Sequence, residues 1–266
     1  MTKGYAGADS SALVSSQVGG KTLVALAAET LGETPVLWGR YFTSASTSGD
    51  VEYRHLEEGQ LLHENNIRVL PIARQTERVA GTSDDGTADA KANAEDVIQT
   101  FGADYLKSLG GSFLMFLDVE GTPSLSLSYY TGWAQTLSAY SQSYSNGAVT
   151  LLPCVYGTQS DGTTWQAIAS AGSQGVPCHG VWIAHWTGHG CQPLPDWSDA
   201  DVSPTVALPC SILLWQYSDD CNGGDGFDCN QTNPEIDFNA FIAQLILPPA
   251  VATATASTAA SLTAAT

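Results

Sequence analysis

Ser112-Phe-Leu-Met-Phe-Leu-Asp-Val-Glu120 is an unbroken apolar run that ends in two carboxylates two residues apart. A strand with one wet face alternates apolar and polar side chains; a continuously apolar one belongs to a parallel sheet covered on both faces. Comparable runs recur along the chain. They predict strands at residues 4–9, 35–42, 68–75, 112–120, 149–156, 180–186, 212–217 and 235–238. Most successive starts lie roughly 30 to 45 residues apart, the room that a strand, a helix and two loops require. Apolar residues at helical spacing predict helices over 21–31, 51–65, 88–109 and 124–143. Eight such units predict an α/β fold, a single (β/α)8 TIM-like barrel over residues 1–247, irregular at the short eighth unit. An open, doubly wound sheet is the alternative. Pro248-Pro249 opens a stretch dominated by Ala, Thr and Ser, so 248–266 reads as a flexible tail or linker.

Charge narrows the partners. The chain has 27 Asp and Glu against 9 Lys and Arg, a formal net charge of −18, and no Lys or Arg follows Lys107. Without clustered cations to displace counterions, nucleic-acid binding is excluded. An anionic membrane surface would repel the chain, and no apolar run reaches transmembrane length. A neutral, hydroxyl-rich ligand needs carboxylates, amides and aromatic faces, and six of the seven Trp lie beyond Lys107. A polysaccharide partner and a monomeric protein are expected.

All six cysteines fall in the second half, at 154, 178, 191, 210, 221 and 229. An even set in loop-rich sequence predicts disulfides and a secreted or extracytoplasmic location, although no signal peptide is visible in this chain. Fifteen pairings are possible. Cys221–Cys229, Cys154–Cys178 and Cys191–Cys210 are the expected set.

Parallel barrels build their sites at the C-terminal ends of strands. Asp9, Asp118, Glu120 and Asp237 fall at such ends and are the candidate catalytic residues. Arg40, Tyr41, Tyr156, Trp182, His185, Trp186, Trp215 and Tyr217 are the candidate substrate-binding residues around them. Asp118 and Glu120 share one side of their strand, about 6.6 Å apart at ~3.3 Å per residue. Charges that end an apolar strand are costly unless they face a cavity or a partner. Neighbouring carboxylates favour one protonated acid beside one ionised group, the pair that glycosidic cleavage uses. The competing explanation is a solvated strand end that caps a helix.

The order Gly7-Ala-Asp-Ser10, Asp118-Val-Glu120, Trp182-Ile-Ala-His-Trp186, Trp215-Gln-Tyr-Ser218 and Ile236-Asp-Phe-Asn239 resembles family 25 lysozymes, the N-acetylmuramidases. Gly39-Arg-Tyr41, Arg68-Val-Leu-Pro-Ile72 and Gly86-Thr-Ala-Asp-Ala90 resemble a related glycoside-hydrolase-like barrel family. The resemblance covers most of residues 4–241. It implies a retaining hydrolase of N-acetylated polysaccharide such as peptidoglycan. Glu120 would be general acid, Asp118 would hold the acetamido group or stabilise the intermediate, and Asp9 and Asp237 would support them. Ser10-Ser-Ala-Leu-Val14 stands where those lysozymes carry a Gln-Gly pair.

A glycan-binding barrel with little turnover is the main alternative. A metal-dependent hydrolase built on His179, His185, His189 and Cys191 is another, since their spacing approaches that of zinc ligands. No cofactor is expected; calcium in the segment from Asp219 to Asn230 is the metal alternative, set against ordinary turn chemistry. Asn230-Gln-Thr232 also matches a glycosylation acceptor.

Overall fold

The computed structural model describes residues 2–46, 52–74 and 77–250 of the 266-residue chain. Eight strands close a barrel: β1 (Ala6–Asp9), β2 (Leu37–Phe42), β3 (Arg68–Ala73), β4 (Ser112–Val119), β5 (Thr150–Thr158), β6 (Val181–His189), β7 (Ile212–Cys221) and β8 (Phe227–Thr232). Neighbours in sequence are neighbours in space, and β8 closes onto β1. Strands β1 to β7 are parallel, as the apolar runs require, whereas β8 is antiparallel to both β7 and β1. The result is a TIM-like α/β barrel with a reversed eighth strand.

That strand corrects the expected one at 235–238. Residues 222–226 turn the chain straight back from β7 with no intervening helix. Asp, Cys, Asn and Gln in β8 carry no β-branched signal, which is why the strand was hidden. Asp237 instead caps a helix, accepting from Ala240 N at 3.1 Å.

The helices are α1 (Leu23–Leu31), α2 (Gln60–Glu64, entered through a π-helical turn at His55–Gly59), α3 (Ser83–Phe101), α4 (Ala103–Ser108), α5 (Leu127–Tyr144), α6 (Gly162–Ser173), α7 (Asp199–Val202) and α8 (Phe238–Ala243). The helix expected over 88–109 is two. It starts earlier, at a capping box between Thr82 and Asp85, and breaks at Gly102, whose φ of 83° only glycine adopts freely. Among the described residues no helix is long and apolar enough to cross a membrane. Residues 251–266 of the expected tail lie outside the described residues. The segment before them is tied down: Tyr105 donates to Leu247 O, and His63 Nδ1 lies 2.8 Å from Pro248 O.

Alternation along the strands separates an inner core from the outer one beneath the helices. Leu37, Leu70, Leu114 and Leu214 form the barrel floor, plugged by Phe241 and Leu245. Ile72, Phe116, Cys154 and Trp182 fill the middle. Gly39 is required there: a Cβ on it would stand 2.7 Å from Asp9 Cβ and 2.9 Å from Ile72 Cδ1. The lumen is therefore packed shut below, and polar side chains gather only at the top.

Arg40 points the other way. It is fully buried on the outer face of β2, where Nε and Nη2 donate to Glu58 at 2.9 and 3.1 Å and Nη1 donates to Ser10 O. Glu58 also accepts from Val14 N and Arg54 N, both at 2.9 Å. Removing one partner of such a pair strands the other charge in the core. Arg40→Leu should therefore lower the unfolding free energy by about 3–5 kcal/mol in urea titrations. A loss below about 1 kcal/mol would show that Glu58 is already solvated.

Candidate active site

The top of the barrel gathers side chains by the pleat of each strand. Asp9 ends β1, Tyr41 lies on the inner face of β2, and Asp118 lies on that of β4, with Glu120 just beyond. Tyr156 on β5 is paired in register with Asp118. Because β8 runs down rather than up, its first residues, not its last, reach the rim. Asp228 therefore stands in register opposite Asp9.

Gln216 on β7 joins these groups. Its Oε1 accepts from Trp186 Nε1 at 2.8 Å and lies 2.8 Å from the Tyr156 hydroxyl. Its Nε2 donates to Asp9 Oδ1 and Asp228 Oδ2, each at 3.2 Å. The Tyr156 hydroxyl also makes a short contact with Glu120 Oε1. Asn230 Nδ2 donates to Asp9 Oδ1 at 2.6 Å, and Asn230 Oδ1 accepts from Trp182 Nε1 at 3.0 Å. One network thus links Glu120 to Asp9 and Asp228 across the lumen.

Of the sequence candidates, Asp9, Asp118, Glu120, Tyr41, Tyr156 and Trp186 come together here, with Trp182 directly beneath. Five do not. Arg40 is bound to Glu58 behind the sheet. Asp237 sits at the opposite end, on the helix that plugs the floor. Trp215 and Tyr217 flank Gln216 and so point outward; Trp215 Nε1 donates to His185 O, and its ring packs edge-on against Trp197. His185 also faces out, its Nδ1 3.5 Å from Asp201 Oδ1.

Sequence reading missed Gln216, Asp228 and Asn230. Gln216 lies inside the Trp215-Gln-Tyr-Ser218 motif, where the flanking aromatics carry the stronger signal. Asp228 and Asn230 share an i, i+2 face, the strand signal that turn-type residues concealed. Asn230 is fully buried and bonded to Asp9, so a glycan on the acceptor motif it begins would be incompatible with this fold.

Residues of the two metal alternatives make other contacts here. Cys191 is bonded to Cys221, which also overturns the expected Cys221–Cys229 and Cys191–Cys210 pairs: β8 carries Cys229 away from the hairpin turn. The expected Cys154–Cys178 bond is likewise not formed. The segment from Asp219 to Asn230 is a β-hairpin in which Asp228 Oδ1 accepts from Asp220 N at 2.7 Å and Asp219 Oδ1 contacts His189 Nδ1. Among the described residues, no group of three or more His, Cys, Asp or Glu is placed to hold a metal ion.

A cavity of about 280 Å³ opens over this network, lined in part by Asp9, Tyr41, Trp186, Asp219, Asp220 and Asp228. Trp186 is 43 % exposed, an indole edge anchored to Gln216. Burial, and next the charge of Asp228, raises the Asp9 carboxyl well above its ordinary range, against the hydrogen bonds from Asn230 and Gln216. Burial likewise pushes Asp228 up to about 6, helped by the charge of Glu120 and opposed by the Asp220 N–H. The phenols of Tyr41 and Tyr156 are raised by burial and then by the surrounding carboxylates, so both remain neutral donors.

No protein-family model and no curated protein matches the chain. Solved structures share its fold. An uncharacterized protein of B. stearothermophilus superposes with a TM-score of 0.62 at 20% identity, covering 91% of this chain and 100% of its own. The catalytic domain of an endolysin from a bacteriophage of Listeria monocytogenes gives 0.51 at 13% identity, over 91% and 99% of the two chains. The spore cortex lytic enzyme SleM of Clostridium perfringens gives 0.51 at 15% identity, over 88% and 68%.

The raised carboxyls fix a sign for pH dependence. The folded chain holds the Asp228 proton more tightly than the unfolded chain, whose Asp titrates near 3.9. Its stabilising contribution is full below that value and is lost as pH rises through about 6. The unfolding free energy of wild type minus that of Asp228→Asn should therefore fall between pH 4 and pH 7. A difference that rises over that window would contradict the assignment.

Proposed function

We propose that the chain is a lysozyme-type glycoside hydrolase that cleaves N-acetylated polysaccharide such as peptidoglycan, with Glu120 as its general acid. The contacts of Tyr156 carry this reading. Trp186 Nε1–H can only donate, so the Gln216 oxygen, not its nitrogen, faces Trp186 and Tyr156. Three oxygens then stand in a row: Glu120 Oε1, the phenol oxygen and Gln216 Oε1. Two hydrogen bonds along that row need two protons, and the phenol brings one. In the proposed acid form Glu120 brings the second, donating to the phenol while the phenol donates to Gln216; as a carboxylate it accepts from the phenol instead. The network is thus built around a carboxyl that can hand over a proton.

In the proposed reaction Glu120 protonates the glycosidic oxygen as its bond to the anomeric carbon breaks. Asp118, buried and on the same side of its strand, stabilises the oxocarbenium-like charge or orients the acetamido group that meets it. Glu120, now a carboxylate, takes a proton from the water that completes hydrolysis. Asp9 and Asp228 hold the Gln216 amide in the orientation that the row of oxygens requires. Trp186 and Tyr41 offer ring faces and edges to a sugar. Among the described residues that line the cavity there is no Lys or Arg, which suits a ligand of hydroxyl and amide groups. The lytic enzymes that share this fold at low identity support the same substrate class, and the Cys191–Cys221 bond supports an extracytoplasmic location.

Incubation with peptidoglycan and with chitin oligomers should release new reducing ends. Glu120→Gln should cut turnover about 10²–10⁴-fold with substrate affinity retained. Tyr156→Phe removes the donor to Gln216 and should lower kcat on the order of tenfold, with KM near wild type. Wild-type rates in Glu120→Gln would reject Glu120 as the acid, and no reducing ends from either glycan would reject the hydrolase reading in favour of a glycan-binding barrel.

A further inference from the structure

Strands β6 and β7 are joined at the top of the barrel, where Cys191 and Cys221 each lie two residues beyond the register pair His189 and Asp219. The other end of the same pair carries a second set of cysteines. Cys178 precedes β6 by three residues and Cys210 precedes β7 by two, and the strands' first residues, Val181 and Ile212, are paired in register. A backbone bond from Val181 N to Ser211 O, 3.0 Å, holds the two entry segments side by side. The Sγ atoms of Cys178 and Cys210 are 2.8 Å apart, well inside the separation at which unbonded heavy atoms rest. Both residues are half-buried rather than sealed in the core. The other two cysteines are placed differently. Cys154 is buried in the lumen with its thiol 3.7 Å from Leu152 O, and Cys229 is buried on the outer face of β8 beside Tyr217.

We infer that Cys178 and Cys210 form a second disulfide, so that β6 and β7 are covalently joined at both ends of the barrel. The oxidant is an exogenous disulfide, either a small molecule or another protein. The Cys178 thiolate attacks one of its sulfurs and expels the other as a thiolate. Cys210 then attacks the Cys178 sulfur of the mixed disulfide and expels the second thiolate. Two protein thiols are oxidised, one disulfide is reduced, and the two protons pass to the released thiols. Cys178 is the entering nucleophile. Donation from Cys210, the largest influence, and then from Tyr130 holds its thiol below the ordinary cysteine value despite burial. The crosslink stands independently of the proposed reaction. Its structural effect is to fix the relative register of the two strands that carry Trp186 and Gln216.

The test uses the full chain equilibrated with oxidised glutathione, denatured, alkylated at free thiols and mapped by mass spectrometry. Trypsin would leave all six cysteines in one fragment, because no Lys or Arg follows Lys107, so pepsin is required. The expected map has Cys191 joined to Cys221, Cys178 joined to Cys210, and only Cys154 and Cys229 labelled. In Cys178→Ser, Cys210 should become a third modified cysteine, alkylated or carrying glutathione. Labelled Cys178 and Cys210 beside an intact Cys191–Cys221 bond would overturn the inference. So would a Cys154–Cys178 peptide. Six labelled cysteines would reject both crosslinks.

Discussion

A single primary amide sets the geometry of the upper barrel. Gln216 is buried, and each of its polar atoms is committed: the oxygen to an indole N–H and a phenol, the nitrogen to two carboxyls. An amide can be reversed by half a turn of its terminal torsion, at little cost in shape and large cost in hydrogen bonding. Here Trp186 forbids the reversal from one side, and the carboxyl acceptors Asp9 and Asp228 resist it from the other. Everything that touches the amide inherits that orientation. The Tyr156 hydroxyl is held between the Gln216 oxygen and Glu120 Oε1.

The amide can bridge the lumen only because the last strand is reversed. Had β8 run parallel, its rim residues would have been its last, and the chain would have needed a helix to return. The tight turn after β7 instead sets Asp228 against Asp9 and Asn230 one pleat lower. Antiparallel pairing on both flanks makes the closure a local event, whereas the other seven strands depend on crossovers. The same turn frees Cys221 to face Cys191 across the ends of β6 and β7, and so ties the hairpin that lines the cavity to the strand that carries Trp186.

The seven parallel strands were legible because each is covered on both faces and so must be apolar almost throughout, as in Phe113 to Leu117. The eighth was not. Its inner face carries Asp228 and Asn230, which serve the site, and such residues read as turn formers when their partners are unseen. Asp118, Glu120, Asp9, Tyr41 and Tyr156 were legible because a polar side chain closing an apolar strand has few stable places to go. Arg40 obeyed the same rule and defeated it, since Glu58, eighteen residues on, offers that charge a partner on the other face of the sheet. Trp215 and Tyr217 were misplaced by one residue of alternation: a strand end with aromatics on both sides of a glutamine does not say which face is inner. The cysteine pairing depended on the reversed strand and could not precede it.

Charge balance in the site follows from where the cations lie. The nearest motif arginine, Arg40, is spent behind the sheet, and Arg74 lies over the Tyr41 ring, 5.5 Å from its centroid. Crowded carboxyls have two further remedies, hydrogen-bond donors and protons. Asp9 receives both: two amide N–H groups lower its proton affinity, yet burial and Asp228 outweigh them. Asp228, with the Asp220 N–H and the Gln216 amide as donors, still rises to about 6. Protons therefore share in offsetting the crowding of Asp9 and Asp228. A cation would neutralise a carboxylate permanently, whereas a proton can leave and return, as the proposed reaction asks of Glu120.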